Sequence, residues 1–315
     1  MRKNLVIGTR GSKLALWQAN YIAHCLTERY PNMTVTLQHM VTTGDKILDV
    51  PLAKIGGKGL FTKELETAML QGEIDLAVHS LKDMPTELPP GLTLAAVTER
   101  EDPWDALVSP RHGTVDNLPK GARIGTSSLR RKAQLLSYRP DLIISDLRGN
   151  LDTRLRKLET EGLDAIVLAQ AGLKRLGWDN LITQVLPKDI SLPAVGQGAL
   201  AIEARDDDDD VLALLDFLDD DNTRASVTAE RAFLNELEGG CQVPIGVYGY
   251  RHGDEVCLEA AILSLGGCRS VRDTLCGAPT SAAAMGRTLA RRMYENGGRQ
   301  ILAELFNVTQ EDRKQ

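Results

Sequence analysis

The stretch HSLKDMP (79–85) sets His79, Lys82 and Asp83 just past an apolar run. A carboxylate beside a lysine can give and take protons or stabilise a cation. The same composition also suits a polar surface turn closed by Pro85. GTSSLRRKAQLL (125–136) puts Thr126, Ser127 and Ser128 at a strand-to-helix turn, where free backbone N–H groups point outward and bind anions. Arg130 and Arg131 follow, and their forked guanidiniums suit carboxylates. Adjacent residues on a helix project to different sides, so a surface position for one of the two stays open beside a binding role for both. In DLRGNLDTRLRKL (146–158) Arg148 ends a strand, Gly149 permits close approach, and Arg154 and Arg156 fall in the first helical turns. Cations there oppose the helix dipole, so they require a bound anion or exposure to water. TRGSKL (9–14) and KIGGKGLF (54–61) add Arg10, Ser12, Lys54 and Lys58. Neither contains a GxxxxGK[ST] loop or a GxGxxG fingerprint.

LEGGCQVPIG (237–246) places Cys241 between a glycine pair and a proline-containing apolar stretch. Two readings stay open for it: a small buried hydrophobe in a turn, or a thiol held on a fixed loop for chemistry. The other cysteines are Cys25, Cys257, Cys268 and Cys276. An odd total without CxxC spacing gives no expectation of a disulfide framework in a reducing compartment. The five histidines are scattered, and none forms a ligand spacing with a cysteine, so no metal site is expected. No HExxH, nucleotide loop or Ser-His-Asp order competes with the arginine-rich stretches.

These side chains need a scaffold, and the apolar pattern supplies one. LVIGTR (5–10), TVTLQHMV (34–41) and IDLAVHSL (74–81) read as strands, separated by helical patterns in LALWQANYIAHCLTERY and FTKELETAML. The pattern restarts after TEREDPWDALVSPRHG, with strands at ARIGTSS, LIISDL and LDAIVLAQAGL and a helix at LDTRLRKLETE. Strand–helix alternation predicts parallel sheets covered by helices, hence an α/β fold with two doubly wound lobes. GALAIEAR (198–205) is expected to cross back to the first lobe, giving two connections and a cleft between lobes. From TAERAFLNELEGG onward the pattern becomes a helix, antiparallel strands and a long helix broken near Gly297-Gly298, a smaller α+β third domain. The expected boundaries are 1–98 plus 199–217 for the first lobe, 104–193 for the second and 222–315 for the third domain.

Composition narrows the partners. Hydrophobic residues make up 43% and charged residues 25%, ordinary for a globular chain. The apolar run near the N-terminus is too short for a signal-peptide core and no stretch approaches bilayer length, so a cytoplasmic protein is expected. Net charge is −6, which argues against nucleic acid. Yet residues 120–175 hold twelve Lys/Arg against six Asp/Glu, a pattern suited to a small polyanion. The run at 206–221, with nine Asp, reads as a solvated helix with acidic ends.

The ordered motifs TRGSKLALWQA, GGKGLFTKELE, AVHSLKDMP, REDPWDAL, GTSSLRR, LRGNLDTRLRKL, AGLKRLG, PAVGQGALAIE and LEGGCQVPIG cover nearly the whole chain. In this order they resemble the porphobilinogen deaminase (hydroxymethylbilane synthase) family of tetrapyrrole biosynthesis. One departure is Lys13, where the family commonly has proline after the RxS motif. The resemblance implies lobes like those of a periplasmic binding protein and a dipyrromethane cofactor joined by a thioether to Cys241. It also implies addition of four porphobilinogen molecules with loss of ammonia, and release of a linear tetrapyrrole by water. Carried over by position, Asp83 with Lys82 is catalytic. Arg10, Ser12, Thr126, Ser128, Arg130, Arg131, Arg148, Asn150, Arg154, Arg175 and Gln197 face cofactor or substrate, and Lys54, Lys58 and Phe61 lie on a loop over the cleft. The many arginines then answer the acetate and propionate of every pyrrole. A monomer is expected, with porphobilinogen its only partner. The competing readings are a non-catalytic two-lobed binding protein for small polycarboxylates, and an acyl-transferring Cys241 nucleophile, which lacks a partnered histidine.

Overall fold

The computed structural model describes residues 2–46, 59–237 and 243–304. Along the chain run β1 (Asn4–Arg10), α1 (Lys13–Arg29), β2 (Thr34–Met40), α2 (Lys63–Leu70), β3 (Leu76–Ser80) and β4 (Leu92–Val97). Next come β5 (Asp105–Val108), β6 (Arg123–Gly125), α3 (Leu129–Tyr138), β7 (Ile143–Ser145), α4 (Leu151–Thr160), β8 (Ala165–Ala169), α5 (Gln170–Arg175) and β9 (Gln184–Val185). The remainder holds β10 (Leu200–Arg205), α6 (Asp209–Leu215), α7 (Asp221–Glu236), β11 (Ile245–His252), β12 (Glu255–Leu263), β13 (Ser270–Gly277) and α8 (Ala282–Met293). The described residues form two compact units. One holds the chain up to Glu101 with Gly198–Arg224, the other Asp102–Gln197 and the chain from Ala225.

The first unit is built on a sheet of order β2-β1-β3-β10-β4. β1 is parallel to β2 and β3, whereas β10 runs antiparallel to both β3 and β4. The alternation of strands and helices therefore accounts for the parallel part only, and the returning strand makes the sheet mixed. Ala19, Ile22 and Leu26 of α1, at helical spacing, cover one face with Leu5, Ile7, Leu76, Val78 and Ile202. Leu65, Ala68 and Met69 of α2 cover the other with Ile74 and Ala77. Burial on both faces is why these strands read as continuous apolar runs. The return to the sheet turns at Gly198, whose φ is +97° and whose place for a Cβ lies 2.2 Å from the Glu101 carbonyl oxygen. Only glycine fits such a position.

The second unit repeats the pattern in a sheet of order β7-β6-β8-β5-β9, with β6 parallel to β7 and β8 and β5 antiparallel to its neighbours. It also contains the antiparallel sheet β11-β12-β13, whose Val247, Leu258, Ala260 and Ile262 pack on Ala229 and Phe233 of α7 and Leu289 and Met293 of α8. The break after α8 falls at Gly297, with φ +113°.

Several expectations need correction. Cys257 and Cys276, directly opposite each other on β12 and β13, form a disulfide. Facing cross-strand positions bring two thiols together whatever their spacing along the chain, which is why a search for CxxC passed over them. LDAIVLAQAGL is a strand only to Ala169, and its second half is α5. β4, β5, β9 and β13 were not anticipated. The acidic run is more than a solvated face: Asp208 caps α6 and accepts hydrogen bonds from Arg2 (2.8 Å) and Arg205 (2.6 Å). Asp219 accepts from the Val97 N–H at 2.7 Å and Asp220 from the Thr223 N–H at 2.7 Å. No helix among the described residues is long and apolar enough to cross a membrane.

Candidate functional site

In the first unit a pocket opens where β1 and β3 end and α1 begins, lined by Arg10, Ser12, Gln18, Phe61, His79 and Asp83. Leu81 and Met84, both buried, anchor the single 3-10 turn Leu81–Asp83 and leave the Asp83 side chain exposed. Lys82, beside it, is half-buried. Ser12 caps α1, its hydroxyl accepting from the Ala15 N–H at 3.2 Å. Arg10 is ion-paired to Asp45 and lies 4.3 Å above the Phe61 ring centroid, so ring and carboxylate fix the guanidinium between them. Burial works against the charge on Asp45, but hydrogen bonds from Arg10 and Thr42 outweigh it and hold the carboxyl below its usual range. Gln18 donates to the Ser80 hydroxyl at 2.8 Å, tying α1 to the end of β3. His79 lies inside β3 rather than past it, and its Nε2 is 3.1 Å from Glu203 Oε2 on β10.

In the second unit two helix starts carry the arginines. Ser128 caps α3, accepting from the Arg131 N–H at 3.4 Å, and Asn150 caps α4, accepting from the Thr153 N–H at 3.0 Å. Thr126 is buried and accepts from the Ser128 N–H at 3.2 Å. Ser127 both donates to the Leu147 carbonyl (3.0 Å) and accepts from the Leu147 N–H (2.9 Å), joining the turns after β6 and β7. Gly149, with φ +115°, bends the chain into α4, and Arg154 Nε donates to its carbonyl at 2.8 Å. Arg148 is half-buried, and its Nη1 is enclosed with no hydrogen-bond partner. A buried charged donor left unmatched is costly, which marks this position for an anion. Arg175 ends α5 and is half-buried.

Neither Arg130 nor Arg131 takes the surface position left open for one of them: both are 5% exposed and converge on Asp105, which is fully buried. Arg130 donates to Asp105 through Nη1 (2.6 Å) and Nη2 (3.2 Å), Arg131 through Nε (3.0 Å) and Nη2 (2.8 Å). The Ser191 hydroxyl (2.7 Å) and Gln197 Nε2 (2.9 Å) donate to the same carboxylate. Burial alone would raise the Asp105 carboxyl, but the two guanidiniums outweigh it and keep it far below the usual range. Two cations facing one anion leave this cluster with a buried excess of positive charge. Gln197 also donates to the Pro103 carbonyl at 2.6 Å. Next to it, Glu230 of α7 accepts from the N–H groups of Gly196 (2.7 Å) and Gly249 (2.7 Å).

Cys241, Lys54 and Lys58 lie outside the described residues. The first unit brings together Arg10, Ser12, Phe61 and Asp83; the second gathers Thr126, Ser128, Arg130, Arg131 and Gln197 around α3, and Arg148, Asn150 and Arg154 around α4. Asp45, Asp105, Glu203 and Gln18 were not singled out. Only Asp105 left a signal: an acidic residue opening the apolar run DALV.

Comparison with known proteins places these features in a family. Residues 5–213 match the family model "Porphobilinogen deaminase, dipyromethane cofactor binding domain", and residues 225–295 match "Porphobilinogen deaminase, C-terminal domain". A porphobilinogen deaminase of Geobacter sulfurreducens is 55% identical over 302 residues, covering 96% of this chain and 95% of that protein. One of Geotalea uraniireducens is 53% identical over 304 residues, with 96% and 95% covered. Among solved structures, the methionine binding protein MetQ aligns with a TM-score of 0.45 at 14% identity, over 68% of this chain and 88% of its own.

Proposed function

The chain belongs to the porphobilinogen deaminase family, and from that premise we propose that Asp83 is its central catalytic group and Cys241 its cofactor anchor. The activity is the stepwise deaminating condensation of porphobilinogen on a dipyrromethane cofactor, yielding hydroxymethylbilane. Loss of ammonia leaves the substrate's methylene carbon cationic. A carboxylate on a short turn pinned by buried Leu81 and Met84 is suited to stabilise that charge without reorganising. Lys82 and Arg10 beside it suit the substrate's acetate and propionate, and Ser12 presents the N-terminus of α1 to the same pocket.

The second unit's chemistry fits a polycarboxylate cofactor. The observation that carries this reading is the enclosed, unmatched Nη1 of Arg148. Carboxylate oxygens of the dipyrromethane would satisfy it, with Thr126, Ser128, Asn150, Arg154 and Arg175 as further binding positions. Arg130, Arg131 and Gln197 contribute through their shared hold on Asp105, whose positive excess favours an anion nearby. When bound, the dipyrromethane supplies the pyrrole carbon from which the chain is extended. Phe61 joins the set through its contact with Arg10, and Lys54 and Lys58 are further candidate binding positions. We further read the chain as three domains (1–98 with 199–217, 104–193 and 222–315), cytoplasmic and monomeric. Sedimentation at 34.4 kDa would support the last point.

The test is intact mass. The chain expressed with its pathway should weigh more by one dipyrromethane, lose that increment on Cys241→Ala, and gain discrete pyrrole increments on titration with porphobilinogen. An unmodified mass in a folded protein would refute the tether.

A further inference from the structure

His79, on the pocket wall, is backed by charged groups that the reading above does not use. Its Nε2 faces Glu203 at 3.1 Å, and the two residues are 6% and 0% exposed. Glu66 of α2, 7% exposed, is the third member, in electrostatic contact with both. Glu66 Oε1 and Glu203 Oε1 are each enclosed without a hydrogen-bond partner. Two ionised carboxylates cannot satisfy each other, because both only accept. Burial pushes the Glu66 carboxyl up, and the charges of Glu203 and Glu64 add to this, against the opposing effects of the Thr62 hydroxyl and His79. A proton arriving on His79 would lie 3.1 Å from the Glu203 carboxyl, with the Glu66 carboxyl behind it.

The reaction needs such an acceptor. Joining an aminomethylpyrrole to the free α-carbon of another pyrrole breaks a C–N bond, whose electron pair leaves with ammonia. The new C–C bond takes a ring electron pair, and the α-carbon then loses its hydrogen as a proton while the C–H pair restores the ring. One proton is therefore released at each addition, and later reaches ammonia or water. We propose that His79, held in place by Glu203 with Glu66 behind it, accepts this proton, leaving Asp83 to stabilise the cation. The proposal rests on the pocket of Asp83 being the reaction site. The charged groups against His79 are Glu203 from β10 and Glu66 from α2, and Asp83 and Arg10 line the same pocket. Glu64 is engaged by the Thr43 N–H at 2.8 Å.

The experiment uses the full chain carrying its cofactor. Intact mass is read first, then single-turnover addition of porphobilinogen as a function of pH. His79→Gln should load the dipyrromethane fully and add pyrrole about 10²-fold more slowly, the usual scale of a lost general base. It should also lose the acidic limb of the wild-type rate profile, and in His79→Ala added imidazole should restore rate in proportion to its concentration. Glu203→Gln should slow addition by about tenfold or more, and it decides the matter if His79→Gln does not fold. Rates within about threefold of wild type, an unchanged pH profile, or failure of folded His79→Gln to load the cofactor would overturn the proposal. Should Asp83→Asn turn over normally, the site itself is wrong. Should Asp83 prove essential while His79→Gln is normal, only the role of His79 falls.

Discussion

Replacing Asp105 with asparagine would strip two buried guanidiniums of the carboxylate they share while keeping the side chain's volume. The amide retains one acceptor oxygen and turns an NH2 toward groups that only donate. Removing one partner of a buried ion pair destabilises by about 3–5 kcal/mol, and two cations sharing one partner argue for the upper end. In a unit of this size each kcal/mol moves the midpoint by about 2–4 °C, so the second unit should melt about 10–20 °C lower. Differential scanning calorimetry at neutral pH reads this directly. The pH dependence adds a second check. Asp105 is depressed in the fold, so its contribution is fully present above the unfolded carboxyl value of about 3.9 and lost as pH falls through the folded one. Wild-type stability should therefore decline below about pH 4, and Asp105→Asn should show a shallower decline. Removing a cation as well, in Asp105→Asn/Arg131→Met, should recover part of the loss through a favourable coupling. A shift below about 3 °C, or strict additivity in the double variant, would refute the idea that this buried network holds the second unit together.

Other outcomes follow from single contacts. Asp83→Asn should keep the fold and the cofactor mass while lowering turnover by about 10²-fold or more, read by porphobilinogen consumption. Arg148→Leu removes an enclosed donor nitrogen that has no hydrogen-bond partner, so thermal stability should hold or rise while the intact-mass increment of the cofactor drops sharply. Gly198→Ala forces a Cβ to 2.2 Å from the Glu101 carbonyl at φ +97°, and should destabilise the first unit by roughly 2–4 kcal/mol in urea unfolding.

The parallel halves of both sheets were legible because strands buried on two faces leave unbroken apolar runs such as LVIGT and AIVLA. β5 escaped notice because its first residue is Asp105, and a buried carboxylate looks like a loop residue until its arginines are in place. The capping roles of Ser12 and Asn150 came only with the structure, whereas Ser128 was readable as a helix cap from local spacing alone. The destination of Arg130 and Arg131 was not, because local spacing gives the side of a helix and says nothing of a carboxylate 25 residues away. The same holds for His79 and Glu203, 124 residues apart. For Cys257 and Cys276, pairing follows from the register of β12 with β13, and β13 itself was not read from the sequence.

The antiparallel strand β10 has a consequence for how the chain is made. It sits between β3 and β4, and the Leu200 N–H donates to the Thr98 hydroxyl across 102 residues of sequence. The second sheet, by contrast, draws all its strands from one continuous span, Asp105 to Val185. During synthesis the second sheet can close as soon as that span emerges. The first, begun earlier, waits with β3 and β4 unjoined until β10 arrives. Non-local pairing of this kind slows folding and leaves strand edges open meanwhile. Of the two five-stranded sheets, the one that positions Asp83 and His79 is thus the first begun and the second completed, and the strand that completes it also delivers Glu203 to His79.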